Sequence, residues 1–139
     1  MTSSEAQPDE DNSRKPRAIV AGHGSFAAGL VSAVQQISGC GDVFVTLSNQ
    51  GLTGEDIETR LRAAAAEADA NVFFTDLPAG SATLAVRRIM RENSETVLVT
   101  GANLGALLEF VFHPEMSAGE AARLAAEKGR ASLVAHGAG

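Results

Sequence analysis

The sequence predicts an α/β protein, a three-layer, doubly wound, mainly parallel four-stranded sheet with helices on both faces. Three observations carry that expectation. Short apolar runs alternate along the chain with longer segments of helical period, which is the pattern of βαβ crossovers. The first run, Ala18-Ile19-Val20-Ala21, ends in small residues and passes straight into a helical pattern, as a buried parallel strand does when it delivers its last residue to a helix N-terminus. The length, 139 residues, suits one domain with one core.

The strands are expected at Ala18–Ala21, Val43–Leu47, Val72–Thr75 and Val97–Thr100. The helices are expected at Phe26–Ile37, Gly54–Ala68, Ser81–Arg91, Leu104–Phe112 and Ala118–Lys128. Thr53-Gly54-Glu55-Asp56 gives the second helix a capping threonine and acids in its first turn. Ser117 with Glu120 forms the Ser-x-x-Glu capping pattern before the fifth. Pro114 stops the fourth after Phe112-His113. The Ala63–Ala66 run falls within a helical pattern, where alanine is the best helix former. Residues 1–16 are polar, charged and broken by proline, and read as a disordered tail ahead of a domain spanning 17–139.

Composition excludes several functions. The tail holds four acids and two bases and so contributes −2 of the net charge of −6. With the rest also acidic, the balance argues against a nucleic-acid backbone as partner, which wants a basic face. With no Trp or Tyr and six Phe, a base-stacking platform is disfavoured too. Cys40 is the single cysteine, so no intrachain disulfide or cysteine-rich zinc site can form. No apolar stretch approaches the roughly 20 residues that span a bilayer, and no secretory signal is visible, so a cytoplasmic location is the expectation.

Three strand ends face the same edge of the predicted sheet, the edge where open α/β sheets place ligands. They are Gly22-His23-Gly24, Thr75-Asp76 followed by Leu77-Pro78-Ala79-Gly80-Ser81, and Thr100-Gly101-Ala102-Asn103. The first and third strands are neighbours in many such sheets, so His23 and Asp76 can meet across a crevice. A carboxylate bonded to one imidazole nitrogen fixes the tautomer and leaves the other nitrogen as nucleophile. Ser81, opening the next helix, offers a hydroxyl beside free N–H groups that suit a phosphoryl group. Plainer roles compete: a turn histidine for His23, a cap or turn for Asp76, a helix cap for Ser81.

Other chemistries fit less well. Gly22, Gly24 and Gly29 lack the dinucleotide-binding spacing, and the second strand ends in Ser48-Asn49 rather than an acid that would hold a ribose. Gly24 and Gly29 have P-loop spacing, but Leu30-Val31 stands where Lys-Ser/Thr is required. One His with one Asp, even with His113, is a weak metal constellation. Asn103 reads as turn chemistry and His113 as a helix-end imidazole complementing the dipole. His136 reads as exposed, and Cys40 has no basic neighbour to activate it. Arg87, Arg88 and Arg91 read as a solvated helix face.

Taken together, these segments resemble a known family. Ala18-Ile19-Val20-Ala21-Gly22-His23-Gly24-Ser25-Phe26-Ala27-Ala28-Gly29 is similar to the opening of the mannose-type IIA domain of the bacterial phosphoenolpyruvate:sugar phosphotransferase system. Thr75-Asp76-Leu77-x-x-Gly80-Ser81 resembles its second signature, Asp-Leu-x-Gly-Gly-Ser/Thr-Pro. Thr100-Gly101-Ala102-Asn103-Leu104 and Leu107-Leu108-Glu109 resemble its third segment. The flavour is closest to members serving amino-sugar and fructose or mannose permeases, and the likeness runs from about Arg17 to Val134.

The resemblance implies a phosphohistidine relay. The carrier protein HPr would phosphorylate His23, Asp76 would orient the ring, and Ser81 would hold the ring or the phosphoryl group. The group would then pass to a IIB component working with a IIC/IID membrane complex. It also implies a homodimer with an exchanged short C-terminal strand, for which Ala131–Ala135 is the segment; no cofactor or metal is called for. Ala79 replaces the second signature's first glycine, and Ala82-Thr83-Leu84 replaces its proline and neighbours, so a reshaped loop is expected after Asp76. With nothing after Gly139, the chain reads as a stand-alone IIA. Three alternatives stay open: a regulatory IIA-like phosphoprotein, phosphoryl supply to a dihydroxyacetone kinase system, and an α/β binding protein without phosphoryl chemistry.

Overall fold

The computed structural model describes residues 15–139, so the expected tail lies almost wholly outside the described residues. Its elements are β1 (Ala18–Gly22), α1 (Phe26–Ser38), β2 (Phe44–Ser48), α2 (Gly54–Ala68), β3 (Val72–Thr75), α3 (Ser81–Glu92), β4 (Val97–Val99), α4 (Leu104–Val111) and α5 (Ala118–Ala131). A single 3₁₀ turn, Gly41–Val43, leads into β2. The sheet order is β2-β1-β3-β4 and every pairing is parallel. The order reverses between β1 and β3, the point at which such sheets open a crevice beyond their strand ends.

Strand alternation sorts the core into two layers. Ala18, Val20, Phe44, Val72 and Phe74 face α1, α4 and α5, where they meet Val34, Leu107, Phe110 and Ala122. Ile19, Ala21 and Phe73 face the opposite way and meet Ile57 and Leu61 of α2 with Ala85, Val86 and Ile89 of α3. β1 is buried along its whole length, as a central parallel strand covered on both faces must be. Phe74 packs edge-on against both Phe44 and Phe110, with ring centroids 6.0 Å and 5.2 Å away. Arg17 closes the N-terminal edge of this layer. Its guanidinium lies 5.4 Å from the Phe110 ring centroid and donates to the carbonyls of His113 and Met116.

The helix starts follow their capping residues. Thr53 and Asp56 make the full reciprocal capping box at α2. At α5 the Ser117 side chain accepts from the Glu120 amide, which is half of the expected box. Helix α5 runs past its predicted end to Ala131, with Lys128 and Arg130 complementing the dipole in the last turn. It tolerates Gly129 because it crosses α4 there: a Cβ on that residue would sit 2.7 Å from the Ala106 Cβ.

The expected C-terminal antiparallel strand is not part of this chain's own sheet. Of Ala131–Ala135, Ala131 closes α5, Ser132 caps it, and the remainder carries no strand, with Leu133 and Val134 exposed. The sheet of the described residues is therefore wholly parallel, and β4 is left as an edge.

Candidate functional site

Adjacent strands β1 and β3 pair Ala21 with Thr75, so the residues that follow emerge side by side at the C-terminal edge. His23 is one step beyond β1, and Asp76 is the first residue beyond β3. The two meet as the sequence led us to expect. Asp76 Oδ2 accepts from the His23 backbone amide at 2.8 Å and lies 2.7 Å from His23 Nδ1. An ionised carboxylate can only accept, so the ring carries its proton on Nδ1. Nε2 is then the lone-pair nitrogen, and among the described residues it has no hydrogen-bond partner.

Exposure divides the pair by role. The His23 side chain is 58% exposed, whereas that of Asp76 is 13% exposed. Burial alone raises the Asp76 pKa. The His23 amide, the His23 ring and Asp76's own backbone outweigh it and hold the carboxyl below its ordinary value. The site thus keeps a fixed anion beneath a ring whose outer nitrogen faces solvent.

Glycines make the pairing possible. A Cβ on Gly22 would fall 2.8 Å from both Asp76 Cγ and Oδ2, and 2.8 Å from Phe26 Cδ2. Gly80 caps α3 at φ 125, a conformation glycine alone adopts readily, and its Cβ position lies 3.5 Å from His23 Cε1. The strand end therefore presents carboxylate and ring to each other, and the start of α3 passes along the ring's edge.

Ser81 is not a helix cap. Gly80 holds the cap position, and Ser81 is the first residue of α3, its hydroxyl accepting from Asn49 Nδ2 at 2.9 Å. The Ser81 hydrogen remains available to donate. Asn49 was not foreseen as part of the site. It also donates its backbone amide to the Gly22 carbonyl, so it ties β1, the end of β2 and the start of α3 together. The only sequence signal was an amide residue directly after β2, which by itself looks like turn chemistry.

The loop after Asp76 is shaped by the residues that depart from the family signature. Thr83 donates to the Leu77 carbonyl at 2.6 Å, and its oxygen lies 2.7 Å from that of Thr75. Since the single Thr83 hydrogen goes to Leu77, Thr75 is the donor of the pair. Both hydroxyls are fully buried and mutually satisfied, fixing the 77–80 turn from beneath.

The remaining candidates lie elsewhere. Asn103, expected as turn chemistry, instead caps α4 by accepting from the Ala106 amide at 2.9 Å and donates to the Gly129 carbonyl at 3.0 Å, a structural role. His113 sits at the opposite edge of the sheet, with Nε2 2.8 Å from Glu109 and Nδ1 3.2 Å from Glu115. Cys40 is half-buried in a turn. The arginines of α3 divide: Arg88 pairs with Glu58, while Arg87 and Arg91 are exposed. Among the described residues no cluster of His, Cys, Asp and Glu could hold a metal ion, and no helix is long and apolar enough to cross a membrane.

This frame is shared with solved IIA proteins of the phosphotransferase system (PTS). Residues 17–126 match the family described as the PTS system fructose IIA component, and the chain belongs to that family. A candidate phosphoenolpyruvate-dependent sugar phosphotransferase system permease from Klebsiella pneumoniae superposes with a TM-score of 0.72 at 26% identity, covering 89% of this chain and 93% of that one. The mannose/sorbose-specific IIA subunit from Enterococcus faecalis gives 0.75 at 20% identity over 91% and 98% of the two chains. Phosphotransferase system component EIIA from Streptococcus agalactiae gives 0.75 at 21% identity over 86% and 95%. Comparison with curated protein sequences gives no match.

Proposed function

We propose that this chain is a phosphocarrier, with His23 accepting a phosphoryl group from phospho-HPr and passing it to a IIB component for sugar uptake. One observation carries the reading. Asp76 engages Nδ1, so the exposed Nε2 is left with its lone pair outward at the crevice of the sheet.

The transfer balances without a cofactor. The Nε2 lone pair forms a bond to phosphorus while the N–P bond of the donor phosphohistidine breaks and its electrons return to the donor ring. The Nδ1 proton stays in place, so the phosphorylated ring is cationic and faces the Asp76 carboxylate. That contact stabilises the charge that develops during transfer. Transfer onward reverses the same steps on the IIB side. The Ser81 hydroxyl and the free N–H groups of the first turn of α3 are the donors for the phosphoryl oxygens. The loose transition state of phosphoryl transfer asks mainly for such alignment and charge stabilisation.

The same reading makes the chain a homodimer. The open edge of β4 and the exposed Leu133 and Val134 support an exchanged strand.

Intact-protein mass after incubation with phosphoenolpyruvate, enzyme I and HPr tests the relay. An acid-labile gain of one HPO₃ in the wild type, absent in His23→Ala, is expected. No gain with active donors, or an undiminished gain in the variant, overturns it.

A further inference from the structure

Resting on the phosphoryl relay proposed above, we infer that Thr83 is a positioning residue of the site. Its buried hydroxyl, oriented by Thr75, sets where the start of α3 stands beside His23, and so where Ser81 meets the phosphoryl group.

The segment from Asp76 to Ser81 has two tasks. It leaves β3 with a carboxylate bonded to the His23 ring, and it then opens α3 with Gly80 against that ring and a hydroxyl for the phosphoryl oxygens. Little holds it in place. Leu77, Pro78 and Ala79 are exposed, and Pro78 has no N–H to donate. Among the described residues, one hydrogen bond reaches the backbone of residues 77–79, the 2.6 Å bond from Thr83 Oγ1 to the Leu77 carbonyl. No side chain caps the start of α3. The family signature has a proline after its serine, a residue that presets φ in the first turn of a helix. This chain has Ala82 there, and the constraint comes instead from the hydroxyl one residue on.

That hydroxyl has a single direction. A carbonyl only accepts, so the Thr83 hydrogen goes to Leu77, and the Thr83 oxygen accepts from Thr75 at 2.7 Å. Thr75 is the last residue of β3 and pairs with Ala21, and its carbonyl accepts from the Ala102 amide at 3.0 Å. The bonds therefore run from the strand that carries Asp76, through Thr83, to the turn that carries Gly80 and Ser81. Asn49 holds Ser81 from the other side. Thr75 and Thr83 are 0% and 1% exposed, so neither hydroxyl can touch the phosphoryl group, and the effect passes through the turn and Ser81. A shift of about 1 Å at the start of α3 is enough to lose the alignment on which transfer depends.

The test compares wild type with Thr83→Val, Thr83→Ser and Thr75→Val/Thr83→Val, each with and without Ser81→Ala. Thr83→Val alone leaves the Thr75 hydroxyl buried without an acceptor and so costs stability. The paired valines remove both polar groups and keep the shape, so the fold persists while the tether is gone. Urea unfolding checks that each chain is folded. The readouts are the initial rate of His23 phosphorylation by phospho-HPr and the phosphorus NMR resonance of the phosphorylated ring. We expect both valine variants to slow transfer about tenfold, the worth of the Ser81 hydrogen bond, and to move the resonance. Thr83→Ser should restore both. In the Ser81→Ala background the valines should cost much less than they do alone, because the group they act through is already removed. A wild-type rate and resonance in the paired valines overturn the positioning role and leave the relay standing. So does a Thr83→Ser as slow as Thr83→Val, or a valine loss that multiplies in full with that of Ser81→Ala. A wild type that takes no phosphoryl group from active phospho-HPr overturns the relay, and this role with it.

Discussion

One oxygen of Asp76 holds His23 in two places, accepting from its backbone amide at 2.8 Å and lying 2.7 Å from its ring at Nδ1. The carboxylate thereby fixes both where the loop after β1 begins and which ring nitrogen is free. Asp76→Asn retains the shape and removes the charge. We expect the fold to persist and phosphoryl transfer to His23 to fall by about 10²- to 10⁴-fold, the range seen when a preorganised charge or ring-orienting carboxylate is lost. Quench-flow rates from phospho-HPr would show it, and an unchanged rate would remove Asp76 from the mechanism.

The same carboxylate ties stability to acid. Its pKa is depressed in the folded chain relative to 3.8, so its contribution is present above that value. It is lost as the pH falls through the lower folded-state value. Urea unfolding at about pH 6 and about pH 3 should therefore show a smaller loss of stability in Asp76→Asn than in the wild type.

Gly22→Ala places a Cβ 2.8 Å from the Asp76 carboxyl and the Phe26 ring. Relieving the clash must push Asp76 away from His23. A destabilisation of about 1–3 kcal/mol is expected by chemical denaturation, together with a loss of transfer comparable to that of Asp76→Asn. An alanine variant with wild-type transfer would show that the close approach is not needed.

Ser81 and Asn49 should behave as donor and support. Ser81→Ala removes the free hydroxyl hydrogen and is expected to slow transfer about tenfold, the worth of one hydrogen bond to a charged group. Asn49→Ala leaves that hydrogen but frees the side chain that carries it, so a smaller decrease is expected. Equal rates for Ser81→Ala and wild type would confine Ser81 to the Asn49 contact.

His113 links stability to pH with the opposite sign. Hydrogen bonds to Glu109 first, and then to Glu115, raise its pKa above 6.5. The stabilisation is complete below the unfolded value and is lost as the pH rises through the folded one. Unfolding midpoints of the wild type should decline from about pH 5.5 to about pH 8.5, and His113→Gln should flatten that decline.

Much of this molecule was legible in the chain order. Each strand and helix lies within a few residues of where periodicity and caps place it, because those signals are local: Thr53 and Asp56 cap α2 three residues apart. Helix α5 continues past its expected end at Lys128, and Gly129 in that added stretch is the point where α4 approaches. Ser81 stands where the sequence places it, first in α3, and the capping role that a serine at a helix start suggests in isolation falls instead to Gly80.

By itself the sequence determined the layered α/β frame, its parallel strands, and the two strand ends from which His23 and Asp76 emerge. Those follow from hydrophobic period and from small residues at strand ends, which act over a few positions. The tertiary structure decided what those ends do to each other. His23 and Asp76 are 53 residues apart, and Asn49 and Ser81 are 32 apart. Pairing β1 with β3 sets the first two within a hydrogen bond, and Asn49, bonded to the end of β1, carries the β2 loop to the start of α3. No local pattern encodes which donor meets which acceptor, because that choice is made when the crossovers bring separate strand ends to one edge.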